Sequence, residues 1–308
     1  MKMKVNSITL YYLLVLLLFS GCSFFQPLKE DNYTQRYSLP GTIPINDTLF
    51  CDLNEISNLD WIEYMNWMGK VYGGGSKEYE FCIPASFNYF DFGNCHINFL
   101  SQFYKYPALR KMPIIGVSQE QAKKYSKWRS DRVFEHLLIE LGKLKNNPNQ
   151  TSENCFTIER YYEGDLDSLV IGEKLEYYPF YTLPTYNERK IILSFSDSLF
   201  QKNYRFFKIK TYSDFLKNHP HIYCDINPCK NDTFQIPLTF IYYPQKWSPL
   251  LFHIRGNVAE WLDNQNLISG GSWKDTYQSI MDKDTIFCDS RNNYTGFRNV
   301  CRWKKWNN

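Results

Sequence analysis

The chain has 308 residues and a formal charge of +3, with 35 basic against 32 acidic side chains. That balance argues against a nucleic-acid partner, and the length suits one large domain with a substantial core. Aromatic residues make up 18% of the sequence. They are expected mainly to fill the irregular core of a loop-rich fold, with a ring-bearing surface for a glycan or protein partner as their second use.

In chain order, Lys2 and Lys4 precede an apolar run from Ile8 to Phe19 that is interrupted by Thr9. The run is short for a membrane span and fits a signal-peptide core, the alternative being an uncleaved anchor helix. Phe19-Ser20-Gly21-Cys22 reads as a lipobox. Cleavage there would remove residues 1–21 and leave Cys22 acylated, with 22–38 as a tether and 39–308 as the folded domain. Loss of the two lysines brings the mature chain to about +1.

Thr48 to Asp52 alternates like a short strand. Ser57 with Asp60 three residues on predicts a capped helix that presents Trp61, Ile62, Met65 and Met68 on one face. Tyr72 to Ser76 is a glycine-rich turn, with no Lys-Ser or Lys-Thr to make it a phosphate loop. Ser118 and Gln121 form a capping box for the clearest helix, whose expected stripe is Ala122, Tyr125, Trp128, Val133, Leu137 and Leu141. A polar loop at 146–154 follows, then a second capping box at Thr185 and Glu188. Residues 200–250 alternate aromatic and polar side chains with several prolines and predict strands and long turns.

Nine cysteines are present. With Cys22 lipidated, eight remain: Cys51, Cys82, Cys95, Cys155, Cys224, Cys229, Cys288 and Cys301. An even set in an exported chain suggests disulfides of unassigned pairing. No C-x2-C or H-x3-H spacing suggests zinc, and His219-Pro220-His221 fits an exposed turn. Asp-Ser/Thr followed by an aliphatic residue recurs at Asp47, Asp167, Asp197 and Asp284, a pattern that resembles an O-glycosylation sequon of exported proteins.

The C-terminal third carries Gly256-Asn257-Val258-Ala259-Glu260-Trp261, then Gly270-Gly271-Ser272-Trp273, then Gly296-Phe297-Arg298. Together these resemble the signature of the formylglycine-generating, or sulfatase-modifying-factor, domain. Upstream, Asp52-x-x-Glu55-Ile56-Ser57-Asn58, the block from Pro113 to Trp128, and Leu183-Pro184-Thr185-x-x-Glu188 resemble further blocks of that family in the same order. The resemblance spans roughly residues 39 to 303. It implies an α+β fold of C-type-lectin-like, sulfatase-modifying-factor type, with few regular elements and long loops. It extends to small lipid-anchored members in Bacteroidetes-type bacteria, including gliding-motality and type IX secretion lipoproteins, and so implies an envelope location, most simply the outer membrane.

Catalytic members hold copper(I) with two cysteines spaced C-x4-C, beginning two residues past the Gly-Gly-Ser-Trp turn. Asp275 and Ile280 stand at those positions here. Copper(I) prefers sulfur, so a carboxylate and a hydrocarbon cannot replace the thiolates. The chain is therefore expected to be non-catalytic, a scaffold or interaction module in an envelope complex. The rival is a copper-dependent oxidase using the displaced pair Cys224 and Cys229, which a disulfide explains as well. The iron-dependent sulfoxide synthases of the same superfamily need an H-x3-H-x-E set that is absent. A third reading, a glycan-binding surface lipoprotein, rests on the implied fold and the aromatics. In the family the Gly-Asn-Val-x-Glu-Trp loop wraps calcium, which implies Gly256 and Val258 through their carbonyls, with Asn257 and the Glu260 carboxylate. The other expectation for Glu260 is that it accepts backbone hydrogen bonds inside a buried turn, and for Arg298 that it satisfies buried carbonyls or a carboxylate.

Overall fold

The computed structural model describes residues 39–85, 107–207, 251–275, 280 and 285–307, all within one unit, Leu39–Asn308. The signal-peptide, tether and lipidation expectations, with Cys22, lie outside the described residues. Among the described residues no helix is long and apolar enough to cross a membrane.

The first sheet joins β1 (Thr42–Pro44), β2 (Phe50–Asp52), β3 (Tyr177–Thr182) and β8 (Val300–Lys305) in the antiparallel order β1-β2-β8-β3. The second joins β4 (Ala259–Trp261), β5 (Leu267–Ser269), β6 (Thr285–Phe287) and β7 (Thr295–Gly296) in the order β6-β5-β4-β7. Its β4–β7 pair is parallel, with Glu260 opposite Gly296. Five α-helices complete the described part: α1 (Asn58–Tyr72), α2 (Lys77–Phe81), α3 (Gln119–Glu140), α4 (Ile158–Glu163) and α5 (Tyr186–Phe207). The class is thus α+β.

The capping residues set where the long helices begin. Ser57 Oγ accepts the Asp60 amide while Asp60 Oδ2 accepts the Ser57 amide at 2.8 Å, and Ser118 with Gln121 repeats the pattern. Thr185 and Glu188 do the same for α5. Each reciprocal pair satisfies two donors that a helix start leaves unpaired. Gly73, at φ +95°, ends α1 where a residue with a Cβ would be strained.

α5 runs to Phe207, so its last turns occupy positions where strands were expected. No Gly or Pro occurs between Tyr186 and Phe207 to stop it, so the helix propagates from its cap. The α3 stripe also differs. Ala122 and Tyr125 are buried as expected, but beyond Trp128 the buried residues are Ser130, Asp131, Phe134, Glu135 and Leu138. Leu141 lies 40% exposed.

Rings fill the core. Trp61 stacks on Tyr125 at 5.5 Å, Phe297 meets both edge-on, and the Trp61 indole donates to Cys82 O at 3.0 Å. Burying such rings removes large apolar area from water. A second cluster gathers Phe134, Phe156, Tyr161 and Tyr178 under α4. The five described cysteines, Cys51, Cys82, Cys155, Cys288 and Cys301, are all buried, and none is in a disulfide. Burial pushes the Cys51 thiol up to about 12 and also raises Cys82, Cys288 and Cys301, which keeps them protonated and inert. The expected disulfides are thus not formed at these five positions, while Cys95, Cys224 and Cys229, and with them the displaced-copper expectation, lie outside the described residues.

Candidate functional site

The Gly256–Trp261 segment enters β4 through two residues with positive φ, Gly256 at 77° and Asn257 at 59°. This tight entry carries Glu260 into the interior, where it is fully buried. Two arginines close on its carboxylate. Arg189, from α5, donates through Nη1 to Oε2 at 2.6 Å, and Arg298, just before β8, donates through Nε to Oε1 at 2.6 Å. Arg298 also donates to the carbonyls of Asp52, Phe252 and His253, and Arg189 to that of Ile254. Burial alone would lower Arg298, but Glu260, Cys51 and Glu55 together outweigh it and raise the guanidinium above its ordinary range. For Arg189 burial wins over the pull of Glu260, with Arg298 adding repulsion, and its pKa falls. Three segments distant in sequence are tied at one carboxylate, and Arg298 does satisfy both buried carbonyls and a carboxylate.

Two of the residues expected to hold calcium have other partners in this structure. Both Glu260 oxygens already accept short charged hydrogen bonds, so neither is left for a cation, and the guanidiniums would repel one. Asn257 turns its side-chain nitrogen to Glu55 Oε2 at 2.7 Å, and its carbonyl accepts from the Trp273 amide. Glu260 and Asn257 are therefore held by internal bonds, and the Glu260 carboxylate does not fit the role of a calcium ligand here. The other expectation for Glu260, a hydrogen-bond acceptor in a buried turn, describes the geometry better, with guanidinium donors in place of backbone amides.

The two positions that the resemblance gives to thiolates are occupied by structural contacts. Asp275 Oδ2 accepts from the Ser272 amide at 2.7 Å and from its hydroxyl at 2.9 Å. Ile280 is 5% exposed and lies under Gly271, where an added Cβ would meet its Cγ1 at 2.5 Å. Gly271 has φ +67°, so both space and backbone call for glycine there.

A cleft of about 460 Å³ opens between α1 and α3, floored by the end of β2 and the turn into α1. Asp52, Glu55, Asp60 and Glu63 line it beside Tyr125 and Trp128, and Arg110, Lys111, Arg129 and Arg132 line it from the basic side. Asp52 is 3% exposed, and Arg129 Nη1 donates to its Oδ2 at 2.7 Å. Glu55 is 1% exposed and accepts from Asn257 and, at 3.3 Å, from the Val258 amide. Burial, and then repulsion from Glu260, raises Glu55 well above the usual carboxylate range. Burial raises Asp52 too, against the pull of Arg129. A buried acid held toward its neutral form in a cleft marks a functional candidate by a physical criterion independent of any motif.

Among the described residues no three His, Cys, Asp or Glu side chains converge to hold a metal ion. Arg189, Glu55 and Asp52 were not singled out from sequence as site residues. Glu55 stood inside a helix-entry block and Arg189 followed a capping glutamate, and neither spacing reveals burial.

No protein-family model matches the chain, and no curated protein matches it. Among solved structures, one titled crystal structure of CarF is similar over 82% of this chain and 86% of its own, at 14% identity and TM-score 0.38. Treponema denticola variable protein 1 is similar over 82% and 84%, at 16% identity and TM-score 0.35. Likeness at that level carries no argument beyond itself, and the class defined by the fold remains α+β.

Proposed function

We propose that this chain is a lipid-anchored, exported, non-catalytic module of sulfatase-modifying-factor type, with the lectin-like arrangement that type implies, serving as a scaffold or interaction component of a cell-envelope complex. The observation that carries the reading is the use made of Asp275 and Ile280. One closes the Ser272 turn and the other packs under Gly271, so the thiolate positions of the catalytic members have become part of the fold. The buried Glu260 with its two arginines fits the same reading, since it fixes loops in place and leaves no group facing solvent. An interaction role is supported by edge strand β6, which holds Ile286 at 38% and Phe287 at 65% exposure.

The test is a copper(I) titration of the mature chain after mild reduction, beside a Cys224→Ser/Cys229→Ser variant. The expected result is no stoichiometric binding in either. Tight one-to-one binding that the variant abolishes would replace this reading with the oxidase.

A further inference from the structure

One sequence pattern has no part in the scaffold role. Asp followed by Ser or Thr and then an aliphatic residue recurs at Asp47, Asp167, Asp197 and Asp284. Seven of the seventeen aspartates precede Ser or Thr, whereas those two residues make up only about one position in eight, so chance would give about two. We propose that Thr48 and Ser168 are O-glycosylated and that Ser198 and Thr285 are not. Such modification rests on the export proposed above and owes nothing to the replaced thiolates.

The fold divides the four hydroxyls into two kinds. Thr48 lies in the turn between β1 and β2, where Asn46 Oδ1 accepts from the Thr48 amide at 3.0 Å and from its hydroxyl at 3.2 Å. Asp47 and Thr48 are exposed, while Leu49 is buried beside Ile45 and Cys51. Ser168 lies in the turn that follows α4, closed by amide bonds from Asp167 to Gly164 O and from Val170 to Asp167 O. Asp167 and Ser168 are again exposed, and Leu169 is half-buried against the cluster around Phe134. At both turns the aliphatic residue pins the chain and the Asp-Ser/Thr pair faces outward. Exposed turns accept the bulk of a sugar because no packed backbone has to move.

The other two hydroxyls are held in regular structure. Ser198 lies within α5, where it donates to Phe195 O at 2.8 Å, and both oxygens of Asp197 accept from Arg255. Thr285 is half-buried in β6 and paired with Ser269 of β5. An acceptor has to enter a transferase with its backbone accessible, and an intact helix or a paired strand opposes that.

The transfer is a substitution at carbon. The Thr48 or Ser168 hydroxyl oxygen bonds to the anomeric carbon of a glycosyl phosphate donor. The bond from that carbon to the phosphate oxygen breaks, and the phosphate leaves with the electron pair. The hydroxyl proton passes to a base of the transferase, and nothing is oxidised or reduced. The aspartate before each hydroxyl is the charged group a transferase can read. Asp167 keeps a side chain 65% exposed although Lys174 pairs with it at 2.7 Å.

Mass spectrometry of the full chain purified from the cells that make it tests this, with electron-transfer fragmentation to locate the sugar and cell fractionation to score export. The expected result is a sugar on Thr48 and on Ser168, with Ser198 and Thr285 bare. Thr48→Val and Ser168→Ala should each remove one sugar mass. Asp47→Asn and Asp167→Asn keep the hydroxyls and should lower occupancy at the adjoining site at least fivefold. An exported chain bare at either turn would overturn the proposal alone, and a chain retained in the cytoplasm would overturn the export reading with it. Equal occupancy at Ser198 or Thr285, phosphate in place of sugar, or occupancy that both aspartate variants leave unchanged would each overturn it. So would attachment at the Asn46 amide, because Asn46-Asp47-Thr48 also fits the N-linked pattern.

Discussion

Glu260 and Glu55 are both at most 1% exposed, and their carboxylates sit close enough to repel one another, yet their surroundings differ. Glu260 has a guanidinium on each oxygen. Glu55 has a side-chain amide and one long backbone contact. The first is a charge whose partners are complete, and replacing any member leaves others buried and unpaired. The second is an acid that burial drives toward its neutral form, in the lining of the cleft between α1 and α3. A saturated buried cluster builds a fold, whereas an under-satisfied one beside a cleft is where recognition is sought.

The largest effect that could break this contrast is expected at Arg298. Arg298→Leu strips donors from Glu260 and from four backbone carbonyls, those of Asp52, Leu53, Phe252 and His253, and should cost about 3–5 kcal/mol or abolish folding, as read by urea denaturation. A loss under about 1 kcal/mol would mean the cluster is not structural. Next comes the turn at Gly271. Gly271→Ala adds a Cβ against Ile280 at positive φ and should cost about 2–4 kcal/mol. In an Ile280→Ala background the same change should cost at least about 1 kcal/mol less, a coupling that a double-mutant cycle measures directly.

Asp275→Ala is expected to be milder. It leaves the buried Ser272 amide without its acceptor, for about 1–2 kcal/mol. The smallest effect is a pH slope at Glu55. Its folded pKa lies above its unfolded one, so folding binds a proton over the interval between them. Stability should be greatest below the ordinary carboxylate value of 4.5 and decline as pH rises from there toward the folded-state value. Unfolding free energies from about pH 4 to about pH 8 should therefore show a shallower decline in Glu55→Gln than in the wild type.

The sequence made helix starts legible because capping is local: Ser57 with Asp60, Ser118 with Gln121 and Thr185 with Glu188 each need only a three-residue spacing. It was less able to follow a buried face along twenty residues. On α3 the small polar residues Ser126 and Ser130 are turned inward, each bonding a carbonyl four residues back. A pattern built on apolar residues alone therefore drifts to Val133 and Leu137, where Phe134 and Leu138 are the ones fully buried. The same blindness hid the site. Glu260 was visible through its motif, but its partner Arg189 lies 71 residues away, and the Glu55 contact with Asn257 spans 202. Only the tertiary fold brings those charges together.

The contrast between the two carboxylates is most directly tested by unfolding Glu260→Gln and Glu55→Gln side by side at neutral pH. Glu260→Gln leaves two buried guanidiniums facing a neutral amide and should lose about 3–5 kcal/mol. Glu55→Gln removes an acid that burial already penalises and should match or exceed the wild type in stability. Comparable losses in the two variants would contradict the account, since both carboxylates would then be structural and the cleft would hold no under-satisfied acid.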